Sequence, residues 1–172
     1  MKRVLIIGNS GSGKTWLSKK LSEGLNYKII HFDEHFWEPG GFNKKRERSI
    51  VLKEIEKLSQ EESWIMEGVF GDLAEVALAN ATSLIFLDKQ WTECEQALLN
   101  RGSKSSFQLD KETAEKNFNE LLVWAKAYYK RESKTSLLWH KQLFDSFLGD
   151  KAILKNRQEM TELLNNITNK QN

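Results

Sequence analysis

Eight consecutive residues, Gly8-Asn9-Ser10-Gly11-Ser12-Gly13-Lys14-Thr15, follow directly on the apolar run Val4-Leu5-Ile6-Ile7. They match the pattern G-x-x-x-x-G-K-[ST], which restricts the fold sharply. The glycines let the backbone curl until several N–H groups point inward, so the loop must leave a strand and enter a helix whose N-terminus shares in holding polyphosphate charge. Lys14 is expected at the β and γ phosphates and the Thr15 hydroxyl at Mg²⁺. The apolar run before the loop and the helical spacing after it supply the required context. The chain is therefore expected to bind a nucleoside triphosphate through all eight residues.

A length of 172 residues suits one domain with a real core and excludes a large multi-domain motor. Residues 1–172 are accordingly read as a single phosphate-loop domain. The 26 basic and 24 acidic residues leave a net charge of +2, so charge does not point to nucleic acid as a partner. Cys94 is the one cysteine, which fits a reducing compartment. Only four apolar residues follow Lys2 and Arg3, a first strand rather than a signal peptide. No run approaches the roughly 18 apolar residues that span a bilayer, and the expected setting is the cytoplasm without membrane attachment.

Strand-length apolar runs alternate with helical periodicity, the mark of an α/β fold with a mainly parallel sheet. Strands are expected at 3–7, 27–32, 63–66, 83–87 and 152–154. The first helix runs to Gly24 as its C-cap, and Pro39-Gly40-Gly41 breaks the chain. A helix over about 43–59 would carry Lys44, Lys45, Arg46 and Arg48 on solvated surface, with binding of an acceptor phosphate as the sharper alternative. Helical spacing returns over 91–100, and Arg101-Gly102-Ser103-Lys104-Ser105-Ser106 is a polar stretch with the composition of a lid. Asp110 is placed to cap a long helix reaching about Arg131, so lid and post-lid helix together cover about 101–131. A further helix over about 135–148 would turn Leu137, Leu138, Phe144, Phe147 and Leu148 inward. Met160, Leu163, Leu164 and Ile167 mark the last helix.

In an open parallel sheet ligands bind beyond the carboxyl ends of the strands, where Asp33, Glu67 and Asp88 all fall. Phosphoryl transfer needs a metal to neutralise charge and a group to orient the attacking oxygen. Glu67 is assigned to Mg²⁺ through water and Asp33 to the acceptor hydroxyl, while Asp88 reads as a cap or turn. His31 and His35 have no cysteine or third histidine nearby, and a strand between them argues against zinc. Phe32, Phe36 and Trp37 around Asp33 suit either core packing or a pocket for a flat acceptor. Positive charge for the transferred group is assigned to Arg101 and Arg131; Lys104, Lys126 and Lys130 lie near them.

Four protein types share such a loop: a small-molecule kinase, a GTPase switch, a motor-type ATPase and a noncatalytic nucleic-acid regulator. No Asn-Lys-x-Asp that would read guanine follows a strand, and Leu58-Ser59-Gln60-Glu61-Glu62 lacks the glycines of a transporter signature. A kinase fits best, because its parts close within one domain. The main alternative is a nucleotide-binding regulator affecting DNA topology with little or no kinase activity.

Gly8 to Thr15, Ile30-His31-Phe32-Asp33-Glu34-His35-Phe36-Trp37, Trp64-Ile65-Met66-Glu67-Gly68-Val69-Phe70 and Leu84-Ile85-Phe86-Leu87-Asp88 occur in the order seen in adenylate-kinase-like P-loop proteins. More narrowly, the chain resembles the small bacterial topology modulation proteins. The resemblance implies a three-layer fold of nucleotide-kinase type, with a five-stranded parallel sheet ordered 2-3-1-4-5 and a helical lid whose foot matches Arg101. It implies a Trp-rich basic helix after the lid, matched over 124–131, and an adenine site around Asn156 and Arg157. The chain departs from that family at Glu67-Gly68-Val69-Phe70, where Asp-Gly-Asn-Tyr is usual, at Lys126, where arginine is frequent, and at Lys89-Gln90, where proline commonly follows the aspartate. The expected reaction is ATP- and Mg²⁺-dependent phosphotransfer to a small acceptor, with nucleosides and nucleotides as candidates.

Overall fold

The computed structural model describes residues 1–103 and 109–168. Its centre is a five-stranded, all-parallel sheet in the order β2-β3-β1-β4-β5. The strands are β1 (Arg3–Gly8), β2 (Ile29–His31), β3 (Trp64–Gly68), β4 (Ser83–Leu87) and β5 (Asp150–Leu154). This is the expected order.

Alternation along the central strands divides the core in two. Leu5, Ile7, Trp64, Met66, Leu84 and Phe86 face one layer of helices, α3 (Arg48–Ser59), α4 (Gly71–Leu78) and α7 (Leu137–Ser146). Val4, Ile6, Ile65, Ile85 and Leu87 face the other, α1 (Lys14–Leu25) and α8 (Arg157–Thr168). Because both faces are covered, β1, β3 and β4 read as unbroken apolar runs instead of alternating ones. Val4, Leu5, Ile6 and Ile7 are fully buried, each such side chain contributing roughly 1.5–3 kcal/mol.

The remaining helices shape the carboxyl edge of the sheet. They are α2 (Phe32–Phe36), α5 (Trp91–Arg101) and α6 (Lys111–Lys126), the last followed by a 3-10 turn at Ala127–Tyr129. Asp110 caps α6 as expected, its carboxylate accepting from the Thr113 N–H at 2.9 Å. The 3-10 turn ends that helix before Arg131. Asp88 neither caps α5, whose N-cap is Gln90, nor lies in a turn; it follows β4 directly, its N–H bonded to the Leu154 carbonyl at 3.0 Å.

Several local expectations are corrected. The C-cap of α1 is Asn26, left-handed at φ 57°, and Gly24 lies inside the helix. β2 stops at His31 because Phe32 turns into α2, so Asp33 stands in a helical first turn. The basic stretch is not helical before Arg48. Gly40 and Gly41, both at positive φ, fold the chain back so that Trp37 bridges Lys45 and the Arg46 N–H bonds the Phe36 carbonyl at 2.9 Å. Between Gly68 and Ser83, where no helix is expected, α4 buries Leu73, Ala74 and Ala77. On α7, Leu143 is buried, whereas Leu138 is exposed because its neighbour Leu137 takes the inner face, and Leu148, beyond the helix end, is 97% exposed.

His140 anchors α7 to the sheet layer. Its Nε2 lies 3.1 Å from the Val69 carbonyl, which can only accept, so Nε2 carries the proton and Nδ1 accepts from the Tyr128 hydroxyl at 2.7 Å. Burial, with the Lys14 and Arg131 charges adding to it, lowers the imidazole to about 3, although the Val69 carbonyl opposes. A folded-state pKa below the unfolded 6.5 means that this stabilisation is complete above about pH 6.5 and is lost as pH falls from there toward 3. Urea unfolding at pH 7.5 and pH 5 should show a loss of about 2 kcal/mol attributable to this residue, and His140→Asn should lack that increment.

Glycines at two helical positions should respond in opposite directions. A Cβ on Gly71 would stand 1.9 Å from the Lys134 carbonyl oxygen, whereas one on Gly24 meets nothing within 4 Å. Gly71→Ala should cost about 2–3 kcal/mol, and Gly24→Ala should add about 0.5–1 kcal/mol, both read by urea denaturation.

Candidate active site

The phosphate loop leaves β1 at Gly8 and enters α1 at Lys14, the geometry that its sequence requires. Gly11 takes φ 80°, and a Cβ there would lie 2.3 Å from the Cys94 carbonyl oxygen, so α5 packs directly on the loop backbone. Asn9 is buried beneath it: its Nδ2 donates to the Ala125 carbonyl at 2.9 Å and its Oδ1 accepts from the Ser10 N–H at 2.8 Å. This ties the loop to the end of α6. The Lys14 ammonium donates to the Asn9 carbonyl at 2.8 Å, and the buried Ser12 hydroxyl has no hydrogen-bond partner among the described residues. A curled loop with an inward lysine and an orphaned hydroxyl suits a polyphosphate.

Glu67 sits at the end of β3, in register with Ile6 of β1 and His31 of β2. Its Oε1 accepts from the Thr15 hydroxyl at 2.7 Å and lies 2.7 Å from His31 Nδ1. Burial alone would raise this carboxyl, but the His31 and Thr15 hydrogen bonds and the Lys14 charge hold it below the usual glutamate range. A buried, ionised carboxylate touching the loop threonine is the donor set that a phosphate-bound divalent cation uses. Among the described residues no group of three or more His, Cys, Asp or Glu gathers into a metal cage. His31 pairs with Glu67 and His35 with Glu54, at 2.7 and 3.2 Å, so the two imidazoles serve different carboxylates.

Around this centre opens a cleft of about 870 Å³, within the size range of small-molecule sites. Ser10, Gly11, Gly13, Lys14 and Thr15 form its phosphate end, with Asp33, Glu67 and Arg101 beside them. Gly8, Asn9 and Ser12 support the loop from below. Arg101 stands at the end of α5 on the cleft rim. Partial desolvation lowers its guanidinium while Asp33 and Glu67 raise it, so both acids lie within its field.

Two expected assignments take another form. Arg131 does not line the cleft; it donates to the Trp124 and Thr135 carbonyls and lies over the Trp124 ring, 3.8 Å from the centroid. Desolvation lowers it to about 10, against the Tyr128 contribution. Its cation is spent bracing a turn. Asn156 caps α8, accepting from the Glu159 N–H at 2.9 Å and donating to the Glu159 carboxylate at 2.7 Å. Arg157 lies over the Trp16 ring at 3.0 Å, on the α1 side of the loop. Neither residue lines the cleft. Lys126 and Lys130 are solvent-exposed, and Lys104 lies outside the described residues.

Sequence reasoning missed His31 as the Glu67 partner and Asn117 on the cleft lining, and it put Lys45 and Arg48, which also line the cleft, first on solvated surface. For His31 a signal existed, since it ends a strand destined to lie beside β3. For the others the signal is tertiary: the return of the chain after Gly41 and the lean of α6.

No family model matches the chain, and no curated protein matches it. Solved structures do. Shikimate kinase from Acinetobacter baumannii in complex with shikimate superposes with a TM-score of 0.57 at 17% identity, covering 97% of this chain and 90% of that one. The YorR protein from Bacillus subtilis, in complex with phosphorylated GDP, gives 0.56 at 14% identity, covering 96% and 92%. Deoxyadenosine kinase from M. mycoides with products dCMP and dCDP gives 0.53 at 15% identity, covering 99% and 100%. The narrower likeness to topology modulation proteins rests on motifs alone. What the superpositions establish is the fold, which is that of the P-loop kinases.

Proposed function

We propose that this protein is an ATP- and Mg²⁺-dependent phosphotransferase acting on a small acceptor that bears a hydroxyl group. The observation that supports this most directly is the arrangement of Lys14, Thr15, Glu67, Asp33 and Arg101 around one cleft. Structural neighbours that include shikimate and nucleoside kinases agree with it at the level of fold.

In this reading Lys14, freed from the Asn9 carbonyl, and the loop N–H groups hold the β and γ phosphates. Thr15 and Glu67 would hold Mg²⁺, Glu67 through water, and the cation would supply neutralisation of phosphate charge. His31 fixes the Glu67 carboxylate in place. Asp33 accepts the hydrogen bond of the attacking hydroxyl and takes its proton as the oxygen bonds to the γ-phosphorus and ADP leaves. Arg101 stabilises the charge on the transferred group. Arg131 braces the Trp124 wall. Base binding falls to the α1–α8 side of the loop, where Arg157 and Trp16 present a stacked surface and Asn156 sets the helix start. The motif likeness to topology modulation proteins is compatible with such a kinase. ATP and a reduced Cys94 suit the cytoplasm, and no helix among the described residues is long and apolar enough to cross a membrane.

With labelled ATP, Mg²⁺ and a metabolite extract, label should pass to a discrete small molecule. Lys14→Ala should lower that transfer at least 100-fold and weaken ATP binding. Transfer near the wild-type rate would overturn the assignment.

Asp33→Asn should separate the two substrates. Calorimetry should find ATP affinity unchanged within about twofold while turnover falls roughly 100-fold or more. Lost ATP affinity with intact turnover would refute the acceptor role.

A further inference from the structure

Beyond Asp33 the cleft is walled by aromatic rings from two directions. Phe36 and Phe70 stack with centroids 3.9 Å apart and planes 12° apart, and Trp37 meets Phe36 edge-on at 5.0 Å. Phe118 and Trp124 of α6 line the same space. Phe70 is buried with a face against Phe36, whereas Phe36, Trp37 and Trp124 are half-buried and line the open cleft, where their exposed ring surface can meet a flat ligand.

Charge at this end is balanced within the protein. Away from the phosphate loop, Glu67 and Arg101, the charged lining residues are Lys45, Arg48 and Lys134 against Asp33, Asp72 and Glu120. Arg48 is ion-paired with Asp72 and Lys134 with Glu75, while the Lys45 ammonium stands over the Phe36 ring at 5.8 Å. A carboxylate or phosphate on the acceptor would find only Lys45 of these three cations outside an ion pair among the described residues, would have to take Arg48 or Lys134 from its acid, and would lie beside Asp33, Asp72 and Glu120, which is costly in a partly desolvated site. An uncharged molecule meets no such penalty.

A third observation concerns hydrogen bonding. Asn117 of α6 lines the cleft, and its Nδ2 is buried without a hydrogen-bond partner among the described residues. A side-chain amide offers two donors and one acceptor, the complement of the nitrogen and keto or amino edge of a heterocycle.

We infer that the acceptor is an uncharged nucleoside. Its base stacks between the Phe36–Phe70 wall and the Trp124 side, Asn117 reads the base edge, and the sugar hydroxyl reaches Asp33. The inference rests on the kinase reading for the fate of that hydroxyl, whose oxygen bonds to the γ-phosphorus as the bond to the ADP oxygen breaks and the proton passes to Asp33. The base site stands on the lining alone.

Calorimetric titration of the full chain, with Mg²⁺ and a nonhydrolysable ATP analogue, tests it against adenosine, guanosine, cytidine and thymidine, their 5′-monophosphates, shikimate and gluconate. At least one nucleoside should bind tenfold or more tightly than its own monophosphate and than either acid. Asn117→Ala should weaken that nucleoside roughly tenfold and Trp124→Leu by about 5- to 150-fold, with analogue affinity moving less than twofold. Asn117→Ala, a change on a half-exposed helix face, keeps the test open if Trp124→Leu unfolds. Preference for a monophosphate or an acid, or binding of no compound in the set, overturns the inference. Label transfer from ATP separates it from the broader reading: a nucleoside that binds but gains no label overturns the kinase and leaves the site, whereas label passing to an acid does the reverse.

Discussion

A carboxylate taken out of water must find partners, and Glu67 finds them on two other elements. Its Oε1 meets the Thr15 hydroxyl of α1 and the His31 imidazole of β2, both at 2.7 Å. An unpaired charge at this depth would cost several kcal/mol, so the three elements must close together in one arrangement. That arrangement fixes the mutual position of the phosphate loop, the carboxyl edge of the sheet and the start of α2. The residues assigned to phosphate, metal and acceptor are neighbours for this reason, although they lie far apart in the chain.

The second half of the molecule is attached to this centre by polar contacts that also shape the cleft. The Asn9 amide reaches the Ala125 carbonyl, the Arg131 guanidinium clasps the Trp124 and Thr135 carbonyls, and His140 joins Tyr128 to Val69. Each contact satisfies a group that burial would otherwise penalise. Together they set the far wall, which carries Trp124, against the near wall of Phe36 and Phe70. The loop and that wall are thus mechanically one unit.

Particular residues show what could be read from the chain. The strands were legible because β1, β3 and β4 are covered on both faces and appear as continuous apolar runs bounded by polar residues. The loop was legible because its chemistry depends on local backbone geometry. α4 was not, since its buried positions are one leucine, two alanines and a glycine, too small to raise a periodic signal. Leu138 was misplaced because hydropathy alone does not say which of two adjacent leucines faces inward, and Leu148 because the helix ends at Ser146 before reaching it. Arg131 was given a catalytic role on its position after the lid, yet its charge is consumed by carbonyls contributed from both sides of its own turn.

The sequence by itself determined the parallel α/β class, the phosphate loop and the place of Glu67 at the end of its strand. Those properties follow from periodicity and from bonds between near neighbours, which amino-acid order encodes directly. Tertiary structure decided that His31 serves Glu67, that Arg101 lines the cleft while Arg131 does not, and that Lys45, Arg48 and Asn117 join the aromatic wall. Such contacts join residues from separate elements. They come into being only when burial has driven those elements together and each buried charge or amide has taken the partner it then meets.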